Sequence, residues 1–204
     1  MDVDLPAVAA LIADPSRAAM LDALLSGGRH SARELAVAAG IAPSTATEHL
    51  DRLERGGLVA CERVGRRREV RLAGPEVGRA LEALAAIAPA RPVTGLRAWN
   101  HGEALRAARS CYDHLAGRAG VALADGLVAG GVLDPGEGAC VDWSERRPHI
   151  GGALGAALLD ALLQRRWVAR APQREGARAT RGRVLRVTDA GRAGLREQLG
   201  VTVP

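Results

Sequence analysis

Apolar residues recur every three to four positions in two segments near the start of the chain, residues 5–13 and 15–25, and each predicts a helix. Asp14-Pro15 separates them, with proline at a first helical position, where its missing N–H removes no bond. Gly27-Gly28 ends the second. Ser31 with Glu34 three residues on is a capping-box pair that opens a third helix to about Ala39, and Gly40 is placed to stop it. A fourth helix is expected from Pro43 to about Arg55, ended by Gly56-Gly57. Its apolar positions Ala46, Leu50 and Leu53 share a face that should pack inward, while Thr45, Glu48 and Arg52 form another. Ser44 and Thr47 lie near its leading end. Residues 58–64 and 68–72 read as strands around Gly65-Arg66-Arg67, a hairpin with a basic tip. A helix over about 75–87 follows.

The stretch "APARPVTGLRAWNHGE" then breaks the pattern and marks a boundary near residue 95. Beyond it the spacing predicts a long helix over 99–119, a shorter one over 121–128, a turn-rich stretch, and a helix over about 150–165. An earlier theme then returns. Leu159, Asp160, Leu162, Val168 and Ala169 match Leu50, Asp51, Leu53, Val59 and Ala60 at a constant offset of 109. A basic stretch, a strand over 183–188 and a helix from about Asp189 complete the echo. The expected fold class is mainly α with small β-hairpin wings. It comprises an N-terminal winged helix-turn-helix over 1–90, a linker over 91–98, and a C-terminal domain over 99–204, helical and ending in a winged-helix-like unit.

Composition refines this picture. Hydrophobic residues make up 48% of the 204 positions, but aromatics only 2%, with no Phe, so the core must be packed from Leu, Val and Ala. All 28 basic residues are Arg, which points to a compositional bias and weakens any argument from a single arginine. The net charge of +5 is uneven: residues 1–90 carry 11 Arg against 12 acids, residues 91–204 carry 17 against 11. Residues 165–186 alone hold eight Arg against one acid, a second wing read as a solvated hairpin in an arginine-biased chain. Its leading segment lacks base-reading side chains, so this copy is expected to serve sensing or pairing. Three cysteines make no disulfide framework, the start of the chain carries acids where an export signal needs positive charge, and no apolar run approaches a membrane span. A cytoplasmic protein without a membrane partner is expected.

Two helices joined by a Gly-containing turn, the second with short polar side chains at its leading end, suit entry into a DNA major groove. Ser44, Thr45, Thr47, Glu48 and Arg52 are the candidates for base edges. Arg63, Arg66, Arg67 and Arg68, with Arg71, suit phosphate contact, where a guanidinium can bind two oxygens at once. His49 reads as a helix-surface or packing residue and Cys61 as a small core residue.

The segment from Ala13 to Leu72 resembles the winged-helix domain of the arsenic-repressor-type (ArsR) family of bacterial regulators, most specifically in Ser44-Thr45-x-Thr47-x-His49-Leu50-x-x-Leu53 ahead of Gly57-Leu58-Val59. The resemblance covers roughly residues 5–90. It implies a homodimeric regulator of transcription on double-stranded DNA, a repressor by expectation, with the helix over 75–87 helping to pair the subunits. Metal-sensing members often carry Cys-x-Cys in the third helix, which here reads "RELAVAAG", and the helix "PEVGRALEALAAIA" holds no His or Asp. Neither familiar metal site is therefore present.

Thiols and imidazoles gather elsewhere. Cys111 and His114 fall three apart on the expected helix 99–119, and Cys140, Asp142 and His149 follow in "GACVDWSERRPHIGG", blocks that resemble those of a long, two-domain subgroup of the family. Such residues can hold a metal ion, serve a haem, line a pocket for a small organic effector, or simply pack. Catalysis is not expected: along one helix Cys111, Asp113 and His114 could not surround a substrate, and no phosphate-binding glycine loop follows a strand. The competing reading from another class is an interaction or ligand-storage protein that uses its winged helix for pairing.

Overall fold

The computed structural model describes residues 3–65, 67–89, 92–136, 138–171 and 182–203. The chain divides into two compact units, one over Met1–Gly78 and the other over Arg79–Pro172 with Arg183–Pro204. In the first, α1 (Leu5–Ala13), α2 (Pro15–Leu24), β1 (His30–Ser31), α3 (Ala32–Ala39), α4 (Pro43–Arg55), β2 (Val59–Val64) and β3 (Arg67–Leu72) lead into α5 (Pro75–Ile87). The caps follow the local chemistry. Asp14 accepts from the amides of Ser16 and Arg17, the Ser31–Glu34 capping box is complete, and Gly40 ends α3 in the left-handed region. Met20, Leu24, Leu35, Leu50, Leu53 and Val70 are buried together with the apolar side of β3.

The strands form an antiparallel sheet in the order β1-β3-β2, with Val59 opposite Leu72 and Val64 opposite Arg67. This register is the two-stranded wing that the alternation predicts, with its second strand starting one residue earlier. The short β1 leaves no sequence signal, because two residues are too few to show a period. Cys61 is only half-buried, so it is a sheet-surface thiol and not the core residue expected.

The second unit departs further from expectation. The long helix over 99–119 does not form: α6 (Leu96–Ala107) stops, and β4 (Arg109–Cys111) and β5 (His114–Ala116) make a hairpin. All six strand residues are buried, so no apolar–polar alternation exposes the strands in the sequence. Tyr112 at the turn takes a positive φ of 61°, a backbone state a helix cannot contain. Next come α7 (Arg118–Ala129), β6 (Ala139–Val141), β7 (Pro148–Ile150) and α8 (Gly152–Gln164). A second hairpin, β6-β7, thus replaces the expected turn-rich stretch and the first residues of the expected 150–165 helix. The strands β8 (Val168–Arg170) and β9 (Leu185–Val187) pair as a third hairpin, and α9 (Asp189–Leu199) closes the order.

Glycines let the hairpins sit close to their helices. A Cβ on Gly155 of α8 would lie 2.2 Å from the carbonyl oxygen of Ile150, and one on Gly120 of α7 would lie 2.4 Å from that of Leu115. Backbone at that distance cannot yield as a side-chain tip can. The internal repeat has a structural counterpart in each unit. The Leu58 amide donates to Leu53 at 3.0 Å and the Trp167 amide to Leu162 at 2.9 Å, both pairs displaced by the sequence offset. Gly57 (φ 70°) and Arg166 (φ 58°) occupy the equivalent left-handed position between helix and strand. Most of the basic stretch of the second wing, residues 172–181, lies outside the described residues, as does Arg66.

Candidate functional site

The fourth helix has the division that its sequence implies. Ala46, Leu50 and Leu53 are fully buried, while Ser44, Thr45, Thr47, Glu48 and Arg52 are exposed along the other side. The Thr47 hydroxyl donates to the Pro43 carbonyl at 3.0 Å, which leaves its oxygen able to accept but ties down its proton. Ala42 at the N-cap supplies no side-chain bond to the first turn. His49 is half-buried beside Arg17 and Asp14, its Nε2 3.9 Å from an Asp14 oxygen, in the packing role expected of it.

In the wing, Arg63 and Arg67 are exposed on β2 and β3. Arg68 is not a free phosphate contact. Its guanidinium donates to Asp51 at 2.6 Å and to Glu54 at 2.8 Å, both on α4, so it braces the wing against the helix. Arg71 is likewise engaged within the sheet, with Nε 3.8 Å from Glu62 and a terminal nitrogen donating to the Leu72 carbonyl. Glu62 is held from its other side by Arg29.

The second unit brings together four of the five residues grouped by the sequence. Cys111 pairs with His114 across β4-β5, and Cys140 pairs with His149 across β6-β7, so each hairpin contributes one thiol and one imidazole. The four candidate donor atoms all lie within 4.8 Å of one another, with the two sulfurs 3.9 Å apart. His114 and His149 are almost fully buried and stack with ring centroids 5.0 Å apart. The His114 Nδ1 is 2.8 Å from a carboxylate oxygen of Asp113. Its Nε2, and both ring nitrogens of His149, have no hydrogen-bond partner among the described residues. The thiols share their protons unequally. The hydrogen bond from Cys111 lowers the pKa of Cys140 and burial opposes it, while that same contact and burial raise the pKa of Cys111. For His114, burial favours the neutral ring, but Cys140 and Asp113 outweigh it and raise its pKa.

Asp142, the fifth residue grouped by the sequence, belongs elsewhere. It is fully buried and accepts from Arg109 at 2.9 Å, from the Gly117 amide at 2.6 Å, and from the amides of Ser144 and Glu145. Burial works against its charge, but Arg109 and these donors hold its pKa down to about 2. Arg109 is itself fully buried, lies 4.6 Å from the Trp143 ring centre, and sits 3.8 Å from the buried Glu82, which also pairs with Arg183. Sequence reasoning missed this network. Its members are far apart along the chain, and in an arginine-biased sequence nothing distinguishes Arg109 or Arg183.

A three-stranded sheet carrying a two-stranded wing, beside a helix with an exposed polar edge, defines a DNA-binding winged helix-turn-helix protein. Residues 12–62 match the family described as "Helix-turn-helix domain". The uncharacterized HTH-type transcriptional regulator YdfF of Bacillus subtilis (strain 168) is 35% identical over 234 aligned positions, which cover 100% of both chains. The chain therefore belongs to the HTH-type transcriptional regulators. Among solved structures, the homodimeric winged helix-turn-helix domain of Mb0332 from Mycobacterium bovis, a possible ArsR-family regulator, is 31% identical, with a TM-score of 0.38 over 41% of this chain and 76% of that one. The transcriptional repressor BigR of Xylella fastidiosa is 24% identical, with a TM-score of 0.39 over 43% of this chain and 88% of its own. Among the described residues, no helix is long and apolar enough to cross a membrane.

Proposed function

We propose that this regulator is a homodimeric repressor of the ArsR type in which the first unit reads an operator and the second unit carries the effector site. The observation behind the reading is the two-sided character of α4. Its apolar back is sealed into the core, its short polar residues face outward at the leading end, and Arg68 fixes the wing beside it. In this reading Ser44, Thr45, Thr47, Glu48 and Arg52 meet base edges, while Arg63, Arg66 and Arg67 meet phosphates and Arg68 holds them in place. Apolar side chains that pairing would cover are exposed on α1, at Leu5 and Val8, and on α5, at Leu84 and Ile87. A role for the second unit in sensing is supported by a cavity of about 520 Å³, a volume suited to a small ligand. Val128, Leu133 and Ile150 line it, with Asp125, Asp134, Arg147 and His149 as polar groups.

Two variants separate base reading from backbone grip. Thr45→Ala is expected to cost about 1–3 kcal/mol on the operator and little on random DNA. The double variant Arg63→Ala, Arg67→Ala is expected to weaken both DNAs alike and to flatten the salt slope by about 0.9 for each phosphate no longer neutralised. Fluorescence anisotropy on the two duplexes over a salt series measures both effects. Equal losses for Thr45→Ala on both DNAs would reduce that residue to scaffold, and an interaction protein using the winged helix only for pairing would show no salt-dependent DNA affinity at all.

A further inference from the structure

We propose that Cys111, His114, Cys140 and His149 bind one divalent cation of the zinc class, four-coordinate and closed within the second unit. In a tetrahedral zinc site with Zn–S bonds of about 2.3 Å, the two sulfurs stand about 3.8 Å apart. The sulfurs of Cys111 and Cys140 are 3.9 Å apart. A disulfide would need about 2.05 Å. The geometry fits a shared ion and not a bond between the sulfurs.

The imidazoles supply a second, independent argument. A buried ring nitrogen without a partner forfeits the hydrogen bond it had in water, and such groups are rare in a folded interior. Three occur at this one point, at Nε2 of His114 and at both ring nitrogens of His149. Asp113 at Nδ1 of His114 fixes the tautomer that leaves the Nε2 lone pair free, the arrangement in which a carboxylate orients a metal-bound histidine. The surrounding backbone keeps the space clear: a Cβ on Gly151 would come within 3.3 Å of the His114 Nε2 and 3.0 Å of the Cys140 Cβ.

The class of ion follows from the donors. Two sulfurs and two imidazoles are soft-to-borderline ligands, matched to zinc, cadmium or cobalt and poorly to calcium or magnesium, which take oxygen. Binding converts both thiols to thiolates and releases their remaining protons to solvent, so that two negative charges offset the two positive ones in a buried place. Four protein donors around one point leave no open position, which makes the site structural or sensory and not catalytic. A haem does not fit, because its iron accepts protein donors only along one axis. Cross-linking β4-β5 to β6-β7 is what the ion would do.

The inference rests on the second unit being the regulatory half only for the ion's effect on DNA, and the experiment separates the two. Full-length protein, kept reduced, is titrated with Co²⁺, then with Zn²⁺ in competition. The expected result is one Co²⁺ per chain with the strong visible absorption of a tetrahedral site and a thiolate charge-transfer band, displaced by Zn²⁺ but not by Mg²⁺. Cys140→Ser should abolish stoichiometric uptake. Asp113→Asn should weaken it about 10- to 100-fold. His149→Cys, which keeps four donors, should retain the ion with stronger thiolate absorption, and guards against a mere loss of folding. Lack of uptake by folded wild-type protein, or uptake indifferent to Cys140→Ser, would overturn the site while leaving the DNA-binding reading intact. An ion that binds as described without altering operator affinity leaves the site standing and removes sensing from the proposed function.

Discussion

Asp142 shows how much a single residue can hold. Five donors on four residues, from three parts of the second unit, converge on its carboxylate, and the Arg109 guanidinium that it neutralises has no access to solvent. Removing one partner of such a pair strands the other charge in a low-dielectric interior. Asp142→Ala is therefore expected to destabilise the protein by about 3–5 kcal/mol. Urea unfolding followed by circular dichroism measures this, and a loss below about 1 kcal/mol would mean that Glu82 alone satisfies Arg109. At this scale the sequence was partly legible. The residue types at Cys111, His114, Cys140 and His149 stood out, since thiols and imidazoles are scarce in this chain, and the fold brings these four side chains together. Asp142 was drawn into that group by proximity in sequence, because its true partner lies 33 residues upstream, where no local pattern points.

In the first unit the helices with one buried face and one wet face were legible from the sequence. In α4 the burial of Ala46, Leu50 and Leu53 alternates with exposed polar positions, so periodicity alone predicts it. The β4-β5 hairpin is buried on every strand residue, and short buried strands cannot be told from a helix by period. Tyr112 gave no warning, since a positive φ is expected at glycine or asparagine and not at tyrosine. The wing also changed meaning at this scale. Three consecutive arginines looked equivalent in the sequence, yet the carboxylates of Asp51 and Glu54 claim Arg68 for the helix–wing contact. Arg68→Ala should thus cost about 1 kcal/mol of stability, the modest value of partly exposed ion pairs. Its salt slope for random DNA should match the wild type. A slope reduced by about 0.9 would return Arg68 to the phosphate contacts.

At the scale of the whole molecule, the proposed function assigns DNA reading to the first unit and sensing to the second. The first presents a polar helix edge and an arginine-bearing wing, and the second buries a sulfur–imidazole cluster and lines a cavity. A ligand in the second unit can alter DNA affinity only if it binds the DNA-competent and DNA-incompetent states differently. Coupling energies of about 1–3 kcal/mol would then change operator affinity about five- to 150-fold. In the proposed homodimer the apolar side chains exposed on α1 and α5 would be covered by pairing, and a symmetric pair reads a symmetric site. The most direct test is selection of genomic fragments on the purified protein, followed by footprinting of the enriched sequence and native mass of the complex. The account predicts an inverted repeat with half-sites about one helical turn apart, protected in the major groove by two chains. No enrichment over random DNA, or protection by a single chain without symmetry, would contradict it.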